Sequence, residues 1–175
     1  MEFPDGKRRR IPFLDHLGVE LLAFGQGRAE LAITIRPELC NSMRVAHGGV
    51  VMTVLDAALA IAGRAAHTDD YDAPVNTITV EMKTSFIRPG AGRLTMRAEC
   101  VHKATSLLFC EGEARDEQGR LVARANGTFK LWVPRAGSTE KPADGRDSPG
   151  DPRCPRTAAS SSPPSGRHSS AAARR

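Results

Sequence analysis

Gly48-Gly-Val-Val-Met-Thr-Val-Leu-Asp56-Ala-Ala-Leu-Ala-Ile-Ala-Gly-Arg64 is the stretch on which the fold turns. Its wealth of Ala, Val and Leu predicts a helix over 48–64, about 25 Å long at ~1.5 Å per residue. The run is apolar nearly all round, and a helix of that kind belongs in a core instead of on a surface. Asp56 is the one charged residue between Gly48 and Gly63. Of its helical neighbours Met52, Thr53, Leu59 and Ala60, only Thr53 is polar. An unpaired carboxylate in such surroundings costs stability, so it has either a satisfied structural partner or a chemical task.

On either side of this helix the chain reads as strands. Residues 17–35 form two, with a turn at Gly25-Gln26-Gly27 and clean alternation over Ala29 to Ile35, until Arg36-Pro37 ends the second. A polar loop runs to Ala46. Beyond the helix and the polar loop 67–74, strands are expected over 75–87, 93–103, 106–115 and 120–133. The breaker clusters Arg88-Pro89-Gly90-Ala91-Gly92 and Asp116-Glu117-Gln118-Gly119 have hairpin length. One buried helix followed by antiparallel strands makes an α+β fold, a curved antiparallel sheet wrapped around one central helix.

The length of 175 residues suits one domain. The formal charge of +5 would suggest nucleic acid, but it sits at the ends: residues 11–135 hold 14 Lys and Arg against 14 Asp and Glu. A neutral body gives no basic groove, so nucleic acid is not an expected partner. Residues 1–10 read as a basic extension, with Lys7 to Arg10 but no apolar stretch of a signal peptide after it. Residues 136–175 hold no Val, Leu, Ile, Met or aromatic residue and are expected to stay disordered, leaving a folded domain over 11–135. Cys40, Cys100, Cys110 and Cys154 form no C-x-x-C pair, so neither a metal site nor a disulfide framework is indicated. No membrane span is expected, because the best apolar run, 50–62, carries Asp56 in its middle. A cytoplasmic protein is the reading that fits.

Asn41-Ser-Met-Arg-Val-Ala-His47-Gly48-Gly49, followed by Asp56, carries a family resemblance, and so does the strand Thr77-Ile-Thr79-Val-Glu-Met-Lys-Thr-Ser-Phe-Ile-Arg88-Pro89-Gly90. Over roughly 13–133 the chain resembles the hotdog-fold acyl-CoA thioesterases of the phenylacetate-pathway (PaaI-like) type. In that family an Asn precedes the His of His-Gly-Gly by six residues and an Asp follows the His by nine, as they do here. The resemblance implies hydrolysis of acyl-CoA to free acid and CoA by a homo-oligomer, a dimer with shared sites or a tetramer. No cofactor is implied, since coenzyme A is part of the substrate.

The chemistry of those spacings is also open to direct argument. Attack on a thioester places negative charge on the carbonyl oxygen, and the unpaired N–H groups of a helix N-terminus suit that charge. Gly48 and Gly49 would supply such a terminus, although two glycines can also merely start a helix. Asp56 would activate a water as general base or attack the acyl carbon itself. Asn41 suits a turn, while the resemblance implies that it holds the water or the carbonyl. His47 is assigned substrate positioning. Thr79 is an ordinary β-branched strand residue or, by resemblance, a hydrogen-bond partner of the carboxylate or water. Alternation places Thr77, Thr79 and Glu81 on one face, with Ile78, Val80 and Met82 on the other. The resemblance further implies Arg88, Lys103 and Ser106 as contacts to the phosphates and pantetheine of coenzyme A. Phe13, Leu14 and Phe86 are candidates for the acyl lining. Three alternative functions are a non-catalytic acyl-CoA sensor, for which no helix-turn-helix precedes Phe13, a hotdog hydratase or dehydratase, which needs its His and carboxylate at another spacing, and a plain interaction module, disfavoured by the charged Asp56 inside the apolar helix.

Overall fold

The computed structural model describes residues 11–133. The basic extension 1–10 and the tail 136–175, with Cys154, lie outside the described residues.

A short helix α1 (Pro12–Leu17) precedes the hairpin β1 (Glu20–Gly25) and β2 (Arg28–Thr34). Gln26 and Gly27, both at positive φ (52° and 73°), form the two-residue turn that matches the twist of these strands. A single 3₁₀ turn (Pro37–Leu39) and a tight loop then lead into α2 (Gly48–Ala65). After it come β3 (Asn76–Phe86), β4 (Arg93–Lys103), β5 (Leu107–Arg115) and β6 (Leu121–Trp132). The six strands make one open sheet in the order β1-β2-β4-β5-β6-β3, every neighbouring pair antiparallel. β3 thus leaves α2 for the far edge of the sheet, and β4 returns to the middle.

The sheet and α2 share one core. Val51, Val54, Leu55, Ala58, Leu59 and Ala62 of the helix are buried with Leu31, Ile33, Leu94, Met96, Leu108 and Phe129 of the strands. Each large side chain in this set contributes about 1.5–3 kcal/mol by leaving water. The helix lies close because small residues face it. A Cβ at Gly112 would stand 2.9 Å from Arg97 O and 3.2 Å from Leu59 Cδ2, so only glycine lets β5 lie this close to both β4 and the helix here.

Three features differ from the sequence reading. α1 occupies residues read as loop and strand start: Pro12 fills its first turn, and Gly18 ends it in a left-handed conformation. Next, α2 is not buried all round. Met52 is 45% exposed, and Thr53, Asp56, Ala57 and Ala60 on the same side are half-buried. By length and mean hydropathy (1.4) α2 would even suffice to cross a bilayer, against the expectation, yet its opposite face is packed on the sheet. Finally, β3 carries a bulge. Thr79 pairs with Phe129 and Glu81 with Thr128, so Val80 has no partner. The extra residue breaks the expected alternation. Thr77 and Thr79 face α2, but Met82 joins them, while Glu81 turns to the outer face and accepts a hydrogen bond from Thr128 Oγ1 (2.9 Å).

Candidate active site

The open face of α2 and the bulged strand β3 together bound a cavity of about 690 Å³. Asp56 lies on its wall, with Thr53, Ala57 and Ala60 from the helix, Thr77, Thr79 and Met82 from the strand, and Phe13 and Leu14 from α1. Thr79 Oγ1 donates to Asp56 Oδ1 at 2.9 Å. One turn further along, Thr77 Oγ1 donates to the carbonyl of Ala60 at 3.1 Å, which pins the strand to the helix beside the carboxylate. Thr77 and Thr79, two residues apart and ahead of the Val80 bulge, point to the same face, toward α2. Phe86, the third residue suggested for the acyl lining, is elsewhere: its ring stands 3.4 Å from the position of a Cβ at Gly48.

The other half of the predicted set gathers at the N-terminus of α2. His47 is the N-cap, and its Nδ1 accepts the Gly49 N–H at 3.0 Å. The N–H groups of Val50 and Val51 go to the His47 carbonyl (2.9 and 3.2 Å). Among the described residues the Gly48 N–H has no partner, so the positive end of the helix keeps one open donor. Asn41 lies in the hairpin that leads into α2, where its Oδ1 accepts from the N–H groups of Met43 (2.9 Å) and Val45 (3.4 Å). That is the turn role of an Asn side chain, and it leaves the amide nitrogen available.

The three residues suggested for coenzyme A do not converge within one chain. Arg88 follows β3 near the start of α2, where Gly90 O accepts the Ala46 N–H, and its guanidinium donates to the Leu121 carbonyl at 3.0 Å. Lys103 Nζ lies at the opposite end, 3.2 Å from the Ala66 carbonyl and from His67 Nδ1. Ser106 shares that end, in the turn between β4 and β5. The 18 residues of α2 separate the two groups by about 27 Å.

Sequence reading passed over Arg64. This residue is 5% exposed and lines the same cavity, two helical turns beyond Asp56. Its Nη2 donates to the Tyr71 carbonyl, and its guanidinium carbon stands 5.1 Å from the Phe24 ring centre and 4.4 Å from that of Tyr71. The spacing of eight residues from Asp56, which returns to nearly the same helix face, was the available signal.

Comparison with known proteins agrees with this architecture. A model of the family described as Thioesterase superfamily matches residues 43–123, from the hairpin before α2 into β6. SSO2140 of Saccharolobus solfataricus, an esterase by name, is 30% identical over 116 residues, covering 66% of this chain and 79% of its own length. A thioesterase family protein from Silicibacter pomeroyi superposes with a TM-score of 0.65 at 26% identity, covering 71% of this chain and 91% of that one. For a point variant of the phenylacetic acid degradation protein PaaI from Thermus thermophilus, the TM-score is 0.60 at 28% identity, over 69% of this chain and 98% of the other. An open antiparallel sheet wrapped on one helix, matched in sequence and in shape to these proteins, means that the chain belongs to the thioesterase superfamily, as a PaaI-like thioester hydrolase of the hotdog fold.

Proposed function

We propose that this chain hydrolyses acyl-CoA thioesters at a site shared between two subunits, with Asp56 as the catalytic carboxylate. The observation that carries the reading is the position of Asp56: a carboxylate held by Thr79, on the open face of α2, in a cavity that also contains apolar side chains. Such a cavity takes an acyl group, while the carboxylate works on the thioester carbon at its edge. The developing oxyanion needs a donor, and the Gly48 N–H is the open one at the head of the helix. Within one chain that donor lies about 12 Å along the helix axis from Asp56, eight residues on. Reacting atoms sit roughly 3 Å apart, so the Gly48 of a second subunit must complete each site. A two-fold dimer makes two such sites at once. Met52 on the open face of α2, and Ile78 and Val80 on the outer face of the edge strand β3, leave exposed apolar surface that a second copy would cover.

In this reading the Asn41 amide nitrogen reaches the carbonyl or the water, and His47 positions substrate while capping the helix. Gly49 lets the thioester approach the backbone, its own N–H being committed to His47. Arg88 serves coenzyme A from the subunit that supplies Gly48, and Lys103 and Ser106 serve it from the other end of a protomer.

The test is a panel of acyl-CoA esters with a thiol reagent that reports released CoA. Purified protein is expected to release CoA catalytically. The Asp56→Asn variant, which keeps size and polarity but loses the basic or nucleophilic oxygen, is expected to lose at least ~100-fold in kcat while still binding acyl-CoA. Binding without turnover in the parent protein would instead make it a sensor.

A further inference from the structure

Three threonine hydroxyls line the Asp56 cavity, those of Thr53, Thr77 and Thr79. Two are committed: Thr77 to the Ala60 carbonyl and Thr79 to Asp56 Oδ1. Thr53 has no hydrogen-bond partner among the described residues. Inside a helix a threonine hydroxyl either bonds back to a carbonyl one turn earlier or points away from the helix, and Thr53 does not bond back. It faces a cavity whose other helix-borne groups are Met52, Ala57, Ala60 and Ile61, besides Asp56 and Arg64. A hydroxyl in that place is satisfied by something polar entering the cavity.

The spacing says what that is. Thr53 and Asp56 are three residues apart on α2, so their Cβ atoms are about 5–6 Å apart on one face. With Oδ1 occupied by Thr79, Oδ2 is the carboxylate oxygen left for chemistry. Side chains at that spacing can hold one water between Asp56 Oδ2 and Thr53 Oγ1.

We infer that Thr53 is a further catalytic residue, holding the hydrolytic water against Asp56. This rests on the assignment of Asp56 above and extends it. One hydrogen of the water goes to Asp56 Oδ2 and the other to Thr53 Oγ1, which aims an oxygen lone pair into the cavity. As the water oxygen bonds to the acyl carbon, its proton passes to Oδ2. The tetrahedral oxyanion then collapses, the C–S bond breaks, and Asp56 returns the proton to the departing CoA sulfur. The acid keeps the second water hydrogen until it ionises. Asp56 therefore works as a general base, and the acyl group never becomes attached to the protein.

The experiment compares Thr53→Val, Thr53→Ser and Asp56→Asn in the full chain, with melting curves to confirm folding. Valine keeps the branched shape and removes only the hydroxyl. It is expected to lower kcat about tenfold, the factor one ordinary hydrogen bond is worth in a transition state, with KM unchanged. Thr53→Ser is expected to keep more than half of kcat. Full kcat in Thr53→Val, an equal loss in Thr53→Ser, or an effect confined to KM would overturn the role of the hydroxyl. An active Asp56→Asn would overturn the assignment of Asp56 itself, which separates that failure from this one.

Discussion

Mixing two inactive variants offers the sharpest test of how the site is assembled. Take Asp56→Ala, which removes the carboxylate, and Asn41→Ala, which removes the loop side chain on which the Met43 and Val45 N–H groups rest. The second change loosens the hairpin before α2 only in the subunit that carries it. Asp56 lies eight residues into α2 from Gly48, about 12 Å along its axis, whereas a water and a thioester carbon react at roughly 3 Å. If each site takes Asp56 from one subunit and the Asn41 to Gly48 segment from the other, a mixed dimer has one site with both lesions and one with neither. Random exchange makes half of the dimers mixed, and each of those has one sound site of two. About a quarter of parental activity should therefore return, by two-fold symmetry alone. The assay is CoA release before and after exchange, with exchange itself followed by a size or charge tag on one variant. If the residues act within a single chain, every site keeps a lesion and nothing returns. Absence of recovery after demonstrated exchange, with Asn41→Ala inactive by itself, would refute the shared site.

Two further predictions concern the scaffold. Gly127→Ala would place a Cβ 2.8 Å from Glu81 O and 3.1 Å from Phe129 Cε2, right beside the β3 bulge, so a backbone atom has to move. A loss of about 1–3 kcal/mol in urea unfolding is expected, and an unchanged midpoint would contradict the close approach of β3 and β6. The Cys110 thiol is pushed up first by burial and then by the neighbouring Cys100 across the β4–β5 ladder. Since the thiolate is the reactive form, iodoacetamide at neutral pH should leave Cys110 unmodified in the folded protein and label it only in denaturant. Mass spectrometry of the peptides reads this directly, and ready native-state labelling of Cys110 would disprove its burial.

Much of the fold follows from local pattern. The start of α2 at Gly48 and the span of β4 from Arg93 to Lys103 agree with the boundaries read from sequence, because glycine pairs, proline and alternation act over a few neighbouring residues. The motif Asn41, His47, Gly48, Asp56 was legible in the same way, as spacing along one segment. α1 was not, since six residues are too short to establish a period. Strand order was not either: that β3 pairs with β6 instead of β4 is decided by which surfaces can cover α2, and no local signal carries it. The bulge at Val80 exists only relative to the register of β6, so alternation alone put Glu81 on the face of Thr77 and Thr79 and Met82 on the opposite one, the reverse of what the fold does. That shift is what brings Met82 to the cavity beside Asp56. The sequence by itself determined the six strands, the central helix and the spacing of the candidate site residues along it. Tertiary structure decided which face of α2 stays open, that Thr79 meets Asp56, and which hydroxyl in the cavity is left without a partner among the described residues. Each of these depends on residues distant in the chain meeting through packing and register, and physical contact of that kind has no local code.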